Sequence, residues 1–133
     1  MKFLEILSST VKLVAEYVNF MSDARVVDSE FGSGTFDEIC SEPGNCAMVS
    51  NHFVEWLRSK KITATTITGI HAKNPEWTKN AHVDPFSDDD THTVVLIGGN
   101  EIVDFTARQF DKRAKFPKIE TYSQFKTEWS NVD

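Results

Sequence analysis

Cysteine is scarce: the 133-residue chain has two, too few for a disulfide framework, and no CxxC or HxxxH pair marks a zinc site. No GxxxxGK(S/T) or GxGxxG stretch is present either, so nucleotide binding has no warrant. Long hydrophobic runs are missing, and with them any segment able to span a membrane. Basic residues are few. Lys and Arg number 14 against 20 Asp and Glu, and a net charge of −6 argues against general nucleic-acid binding, which needs clustered cations. Much of the acid is local, in Ser87-Asp88-Asp89-Asp90, read as a solvated loop. The first residues, Met1-Lys2-Phe3-Leu4-Glu5-Ile6-Leu7, begin like a signal peptide. Glu5 and Lys12 interrupt the apolar run, however, and no small-residue cleavage site follows, so an amphipathic helix is the better reading.

What is present fits one globular domain over residues 1–133. Hydrophobic residues make up 40% and charged residues 26%, and ten Phe and three Trp can help fill one compact core. Residues 3–21 carry Phe3, Leu4, Leu7, Val11, Val14, Val18 and Met21 at helical spacing. Residues 22–45 are poor in pattern, broken at Gly32-Ser33-Gly34 and Pro43-Gly44, with one helical turn expected over 36–40. A long irregular segment inside a compact domain is often functional. A second helix is expected over 46–60, with Cys46, Val49, Phe53, Trp56 and Leu57 on one face and Asn45 as N-cap. The β-branched run 62–70 predicts a strand. Residues 71–90 read as a loop, and 91–97 and 101–105 as a hairpin joined by Gly98-Gly99-Asn100. A helical turn over 106–110 and a last helix with Tyr122, Phe125 and Trp129 on one face complete the expectation.

The chemistry centres on Gly44-Asn45-Cys46. A cysteine that opens a helix lies in the positive end of the helix dipole, among amides with no partner inside the helix, and this setting favours thiolate. Taken alone, Cys46 is better explained as a small core residue. A disulfide to Cys40, six positions away, is geometrically possible and would remove the nucleophile, but a reducing compartment is the better reading of two cysteines. A nucleophile needs a base, and the base needs a group that holds its tautomer. Of four histidines, His52 lies six residues along the helix of Cys46, about 240° around its axis and so away from the thiol. His71 and His82 read as surface residues. His92 opens a strand that turns directly into the strand bearing Asp104. If the turn is Gly98-Gly99-Asn100, position 97 faces 101 and 94 faces 104. His92 and Asp104 then share a sheet face as diagonal neighbours, roughly 7–8 Å apart at Cβ. A strict two-residue turn would put them on opposite faces. The backbone amide of Cys46 is the expected oxyanion donor, with Asn45 and Gln109 as candidate side-chain donors. Cys40, Cys46, His71, His82 and His92 could in principle hold zinc, but their spacing gives no support, and neither metal nor cofactor is expected.

The order of these stretches carries a resemblance. Gly44-Asn45-Cys46, then Thr91-His92-Thr93-Val94-Val95, then Ile102-Val103-Asp104-Phe105-Thr106-Ala107-Arg108-Gln109-Phe110 resembles the papain-like cysteine peptidase and transglutaminase-like superfamily. The last stretch looks like the D-x-T-x-x-Q-F segment of small bacterial and phage papain-fold toxin or effector domains. The likeness covers about residues 40–112. It implies an α+β fold in which N-terminal helices, the nucleophile helix among them, pack on a small antiparallel sheet. It also implies Cys46 as nucleophile, His92 as base and Asp104 as its orienting residue. One position departs from the pattern: where papain-type enzymes usually carry an oxyanion glutamine, about six residues before the cysteine, this chain has Cys40. The expected activity is hydrolysis of a peptide, isopeptide or related amide bond through a thioester, on a protein or peptide substrate. Glutamine deamidation, transglutaminase-type transfer, or a non-enzymatic binding or inhibitor protein keeping the fold are the alternatives. The expected location is the cytoplasm, or a host's cytoplasm for a phage or effector protein, with no membrane or nucleic-acid partner.

Overall fold

The computed structural model describes residues 2–42, 44–74, 91–130, 132 and 133. The acidic stretch 87–90, Trp77 and His82 lie outside the described residues, and so does the side chain of His71. Four helices come first: α1 (Lys2–Phe20), α2 (Ala24–Phe31), α3 (Phe36–Ser41) and α4 (Cys46–Ser59). Strands β1 (Ala64–Ala72), β2 (Thr91–Ile97) and β3 (Glu101–Asp104) follow, then a 3-10 turn at Ala107–Gln109. Strand β4 (Lys118–Thr121), helix α5 (Tyr122–Glu128) and the short strand β5 (Trp129–Ser130) close the chain. The fold is α+β. Its single sheet has the order β4-β3-β2-β1-β5, with every neighbouring pair antiparallel. Among the described residues no helix is long and apolar enough to cross a membrane.

Both faces of the sheet are covered. Ala64, Val95, Ile97 and Val103 pack against Tyr17 of α1, Met21 just past its end, Val27 of α2, Phe36 and Ile39 of α3, and Val49, Phe53 and Leu57 of α4. Ile67, Val94 and Ile102 point the other way, onto Phe110, Phe125 and Trp129. Side chains alternate faces along a strand, so Val94 and Val95 are both fully buried although they point in opposite directions. Tyr17 is the hub of the helical side. Its ring lies 4.6 Å from Phe53, 5.2 Å from Trp56 and 5.4 Å from Phe105.

Several expectations are corrected. Among the described side chains of α1 the buried ones are Thr10, Val14 and Tyr17, with Met21 buried just past its end and Val11 half exposed; the side chains of Phe3, Leu4 and Leu7 lie outside those described. Residues 24–31, expected as loop, form α2: the Asp23 side chain caps it by accepting from the Arg25 amide, and Gly32 ends it at φ +93°. The sheet has five strands rather than three. Strand β4 escaped notice because Lys118-Ile119-Glu120-Thr121 carries one apolar residue. Trp129, placed on the last helix, has instead left it to pair with Ala72 in β5.

The turn between β2 and β3 decides the site. Ile97 pairs with Glu101, Leu96 with Ile102 and Val95 with Val103, so the loop is the three residues 98–100. Gly98 and Gly99 both take positive φ, +61° and +74°, which side chains resist and glycine tolerates. Glu101, just past the turn, is buried at 2% exposure and accepts a 3.0 Å hydrogen bond from Thr10 Oγ1. Its other oxygen, Oε2, has no partner among the described residues. Thr10→Val keeps the shape and removes the donor. The expected cost is about 1–3 kcal/mol, read as a lower urea midpoint with an unchanged slope.

Candidate active site

Helix α4 places Cys46 in its first turn, partly exposed beside the exposed Ala47 and Met48. One turn later Ser50 Oγ donates to the Thr93 carbonyl at 3.0 Å, which docks the helix start on the opening of β2. The Cys46 sulfur lies beside His92 and the Thr93 backbone there. Cys46 and Cys40 are both free thiols.

His92 and Asp104 lie on one face, on the side of Phe110 and Trp129. His92 Nε2 and Asp104 Oδ2 are 2.6 Å apart, and both side chains are almost fully buried. Asp104 Oδ1 accepts from the Thr106 amide at 2.9 Å, and this fixes the carboxylate on its far side. With Nε2 taken by Asp104, Nδ1 is the ring nitrogen left to face sulfur. It is buried and makes no hydrogen bond among the described residues. Aromatic walls hold the ring. Phe110 meets it edge-on at 4.6 Å and Trp129 lies at 5.2 Å. Gly69, opposite His92 on β1, makes room for that wall: a Cβ there would lie 2.5 Å from the Trp129 Cβ.

Charge follows from this packing. Burial works against an imidazolium at His92, but the Asp104 charge and hydrogen bond, aided by Cys46, outweigh it and push the ring up to about 9. Burial also works against a Cys46 thiolate. The hydrogen bond and charge of His92 and the Thr93 amide outweigh that penalty and the repulsion from Asp104, so the thiol falls below its ordinary value. The two shifts run in the direction of a thiolate–imidazolium pair. Cys40 behaves oppositely: burial first, then the charges of Asp37 and Asp104, push its thiol far up.

The remaining candidates have other partners. The Gln109 amide nitrogen donates to the carbonyls of Cys40 (3.2 Å) and Glu42 (2.6 Å), bracing the end of α3. Asn45 makes no side-chain cap. Its amide nitrogen reaches back to the Ile39 carbonyl at 2.9 Å and the Glu42 carboxylate at 3.2 Å. In these positions both amides hold the loop before Cys46 and aim no hydrogen at a substrate. His52 Nδ1 meets the Tyr17 hydroxyl at 2.6 Å, and Nε2 lies 3.5 Å from Glu30, in the helical layer. Among the described residues no group of three or more His, Cys, Asp or Glu could hold a metal ion. Thr106, Ser50, Gly69 and Trp129 were not singled out from sequence. A lone glycine inside a β-branched run was the one available signal, since it marks close approach by another group.

The chain matches no family model, no curated protein and no solved structure.

The ion pair predicts thiol chemistry at acidic pH. Iodoacetamide should alkylate Cys46 faster than a free model thiol at pH 6. Asp104→Asn removes the charge that holds the His92 proton and should slow that reaction roughly tenfold, the equivalent of about one unit of thiol ionisation. Alkylation no faster than the model thiol would refute the activated pair.

Proposed function

We propose that this chain is a small cysteine-dependent hydrolase with papain-like organisation, acting on a peptide, isopeptide or related amide bond. The observation that carries the reading is the buried His92–Asp104 pair, joined by a 2.6 Å hydrogen bond, with the partly exposed Cys46 thiol beside the imidazole. The order nucleophile helix, histidine strand, aspartate hairpin partner supports it, as does a thiol whose helix start lies at the surface.

In this reading the Cys46 thiolate attacks the carbonyl carbon. The carbonyl oxygen takes up charge and meets the first-turn amides of α4, which have no acceptor within the helix. His92 gives its proton to the leaving nitrogen, the C–N bond breaks, and a thioester remains on Cys46. His92, now neutral, takes a proton from water as the water oxygen attacks the thioester. The C–S bond breaks, releasing the carboxylic acid and restoring the thiolate–imidazolium pair. Asp104 keeps its hydrogen bond throughout and holds the ring so that the other nitrogen faces sulfur.

Replacing the incoming water with an amine gives transfer, and a glutamine side chain as the attacked amide gives deamidation. Mass spectrometry of candidate protein targets incubated with wild type and Cys46→Ala separates these. Cleavage fragments that require Cys46 are expected. A gain of about one dalton on a target would replace hydrolysis with deamidation, and a covalent cross-link would replace it with transfer. Iodoacetamide-reactive Cys46 with no change in any target would favour a binding protein that retains the fold.

A further inference from the structure

Asp104 has a third neighbour that the proposed chemistry does not use. In the antiparallel register Asp104 pairs with Lys118 of β4, and Ile102 pairs with Glu120. Lys118 and Glu120, two residues apart, therefore share the sheet face of Asp104 and His92. Helix α5 brings Glu128 over the same spot. Lys118 Nζ lies 2.9 Å from Glu128 Oε2 and 3.6 Å from Glu120 Oε1. Between this group and the site is a cavity of about 10 Å³, lined by His92, Asp104, Asp111, Lys118 and Trp129 among others, about the room one water needs.

The arrangement is short of hydrogen. Two carboxyl groups converge on one ammonium, and Glu128 Oε1 is buried with no donor among the described residues. An ionised Glu120 cannot supply that donor, whereas a protonated Glu120 can.

We propose that Lys118, Glu120 and Glu128 form a charge layer behind Asp104, in which Glu120 and Glu128 share one exchangeable proton, and that this layer sets how far into alkaline pH His92 keeps its own. These are positioning residues: they act on His92 through Asp104. The inference rests on the triad reading only in giving that proton a catalytic meaning.

The sign follows from the charges facing Glu120. They are Lys118 on its own strand, Glu128 on α5 and Asp104 on β3. Burial, then the hydrogen bond to Glu128, raise Glu120 to about 8 against the opposing pull of Lys118. Below that pH Glu120 is neutral beside the Lys118 ammonium. Above it Glu120 releases its proton to solvent, and one negative charge is added behind Asp104. An added negative charge favours the imidazolium. Ionisation of Glu120 therefore delays the loss of the His92 proton.

The test is NMR titration of the full chain labelled at the histidine rings and glutamate carboxyl carbons, with His92 assigned from a His92→Gln spectrum. The Glu120 carboxyl should titrate well above the ordinary glutamate range. In Glu120→Gln, nearly the same shape and permanently neutral, the His92 midpoint should fall by about half a unit. In Glu128→Gln the Glu120 midpoint should move down toward ordinary values. A Glu120 that titrates like an exposed glutamate, or a His92 midpoint that does not move in Glu120→Gln, would overturn the proposal. Iodoacetamide rates on the same samples keep the two readings apart. A responsive His92 beside an unreactive Cys46 would leave the charge layer standing and remove the catalytic reading. A reactive Cys46 beside an unresponsive His92 would do the reverse.

Discussion

The hydrogen bond between His92 and Asp104 exists because a three-residue turn keeps both residues on one face of a sheet that is buried on both sides. Side chains alternate along a strand, so one residue more or fewer in that turn would move Asp104 to the helical face and turn each of its strand neighbours to the opposite face. The constraint reaches further than the pair. The same register sends Val95, Ile97 and Val103 into the helical core and Val94 and Ile102 into the smaller core beneath. Geometry of the candidate site and packing of the sheet are therefore one property of the hairpin.

Two buried charges are then tolerated because each has a defined neighbour. Asp104 has the imidazole on one oxygen and the Thr106 amide on the other. His92 has the carboxylate on Nε2 and sulfur on its remaining side, between aromatic walls. Burial alone would drive each group to its neutral form; the contacts reverse that for His92 and Cys46. The cysteine arrives from the opposite layer. Helix α4 packs its apolar face on the sheet through Val49, Phe53 and Leu57, and Ser50 ties its second turn to Thr93. The thiol thus reaches the imidazole from the helix end, where first-turn amides lack partners.

The stretch before Cys46 shows how polar side chains stabilise an irregular segment. The last carbonyls of a helix need donors from elsewhere. For α3 they come from Gln109, which lies 67 positions from Glu42 in the chain, and from Asn45 nearby. The glutamine of the D-x-T-x-x-Q-F stretch therefore links the aspartate strand to the loop before Cys46. That link is a structural role, distinct from the oxyanion role expected of it.

Local chemistry determined a large part of this protein from sequence alone. The apolar period of α4, the β-branched run of β1 and the paired glycines between β2 and β3 each act over a few residues, and each was legible. So was the shared face of His92 and Asp104, because a turn length and an alternation of two suffice to derive it. Helix α2 was legible in principle through Asp23 and Gly32, but its weak apolar pattern concealed it. Only the tertiary structure decided the rest. The pairing of β4 with β3 and β5 with β1, the bracing of the α3–α4 loop by Gln109, the clearance at Gly69 for Trp129, and the grouping of Lys118, Glu120 and Glu128 behind Asp104 all join residues distant in the chain or on different elements. Such contacts leave no periodicity behind. They depend on where whole elements settle, which is a property of the packed core.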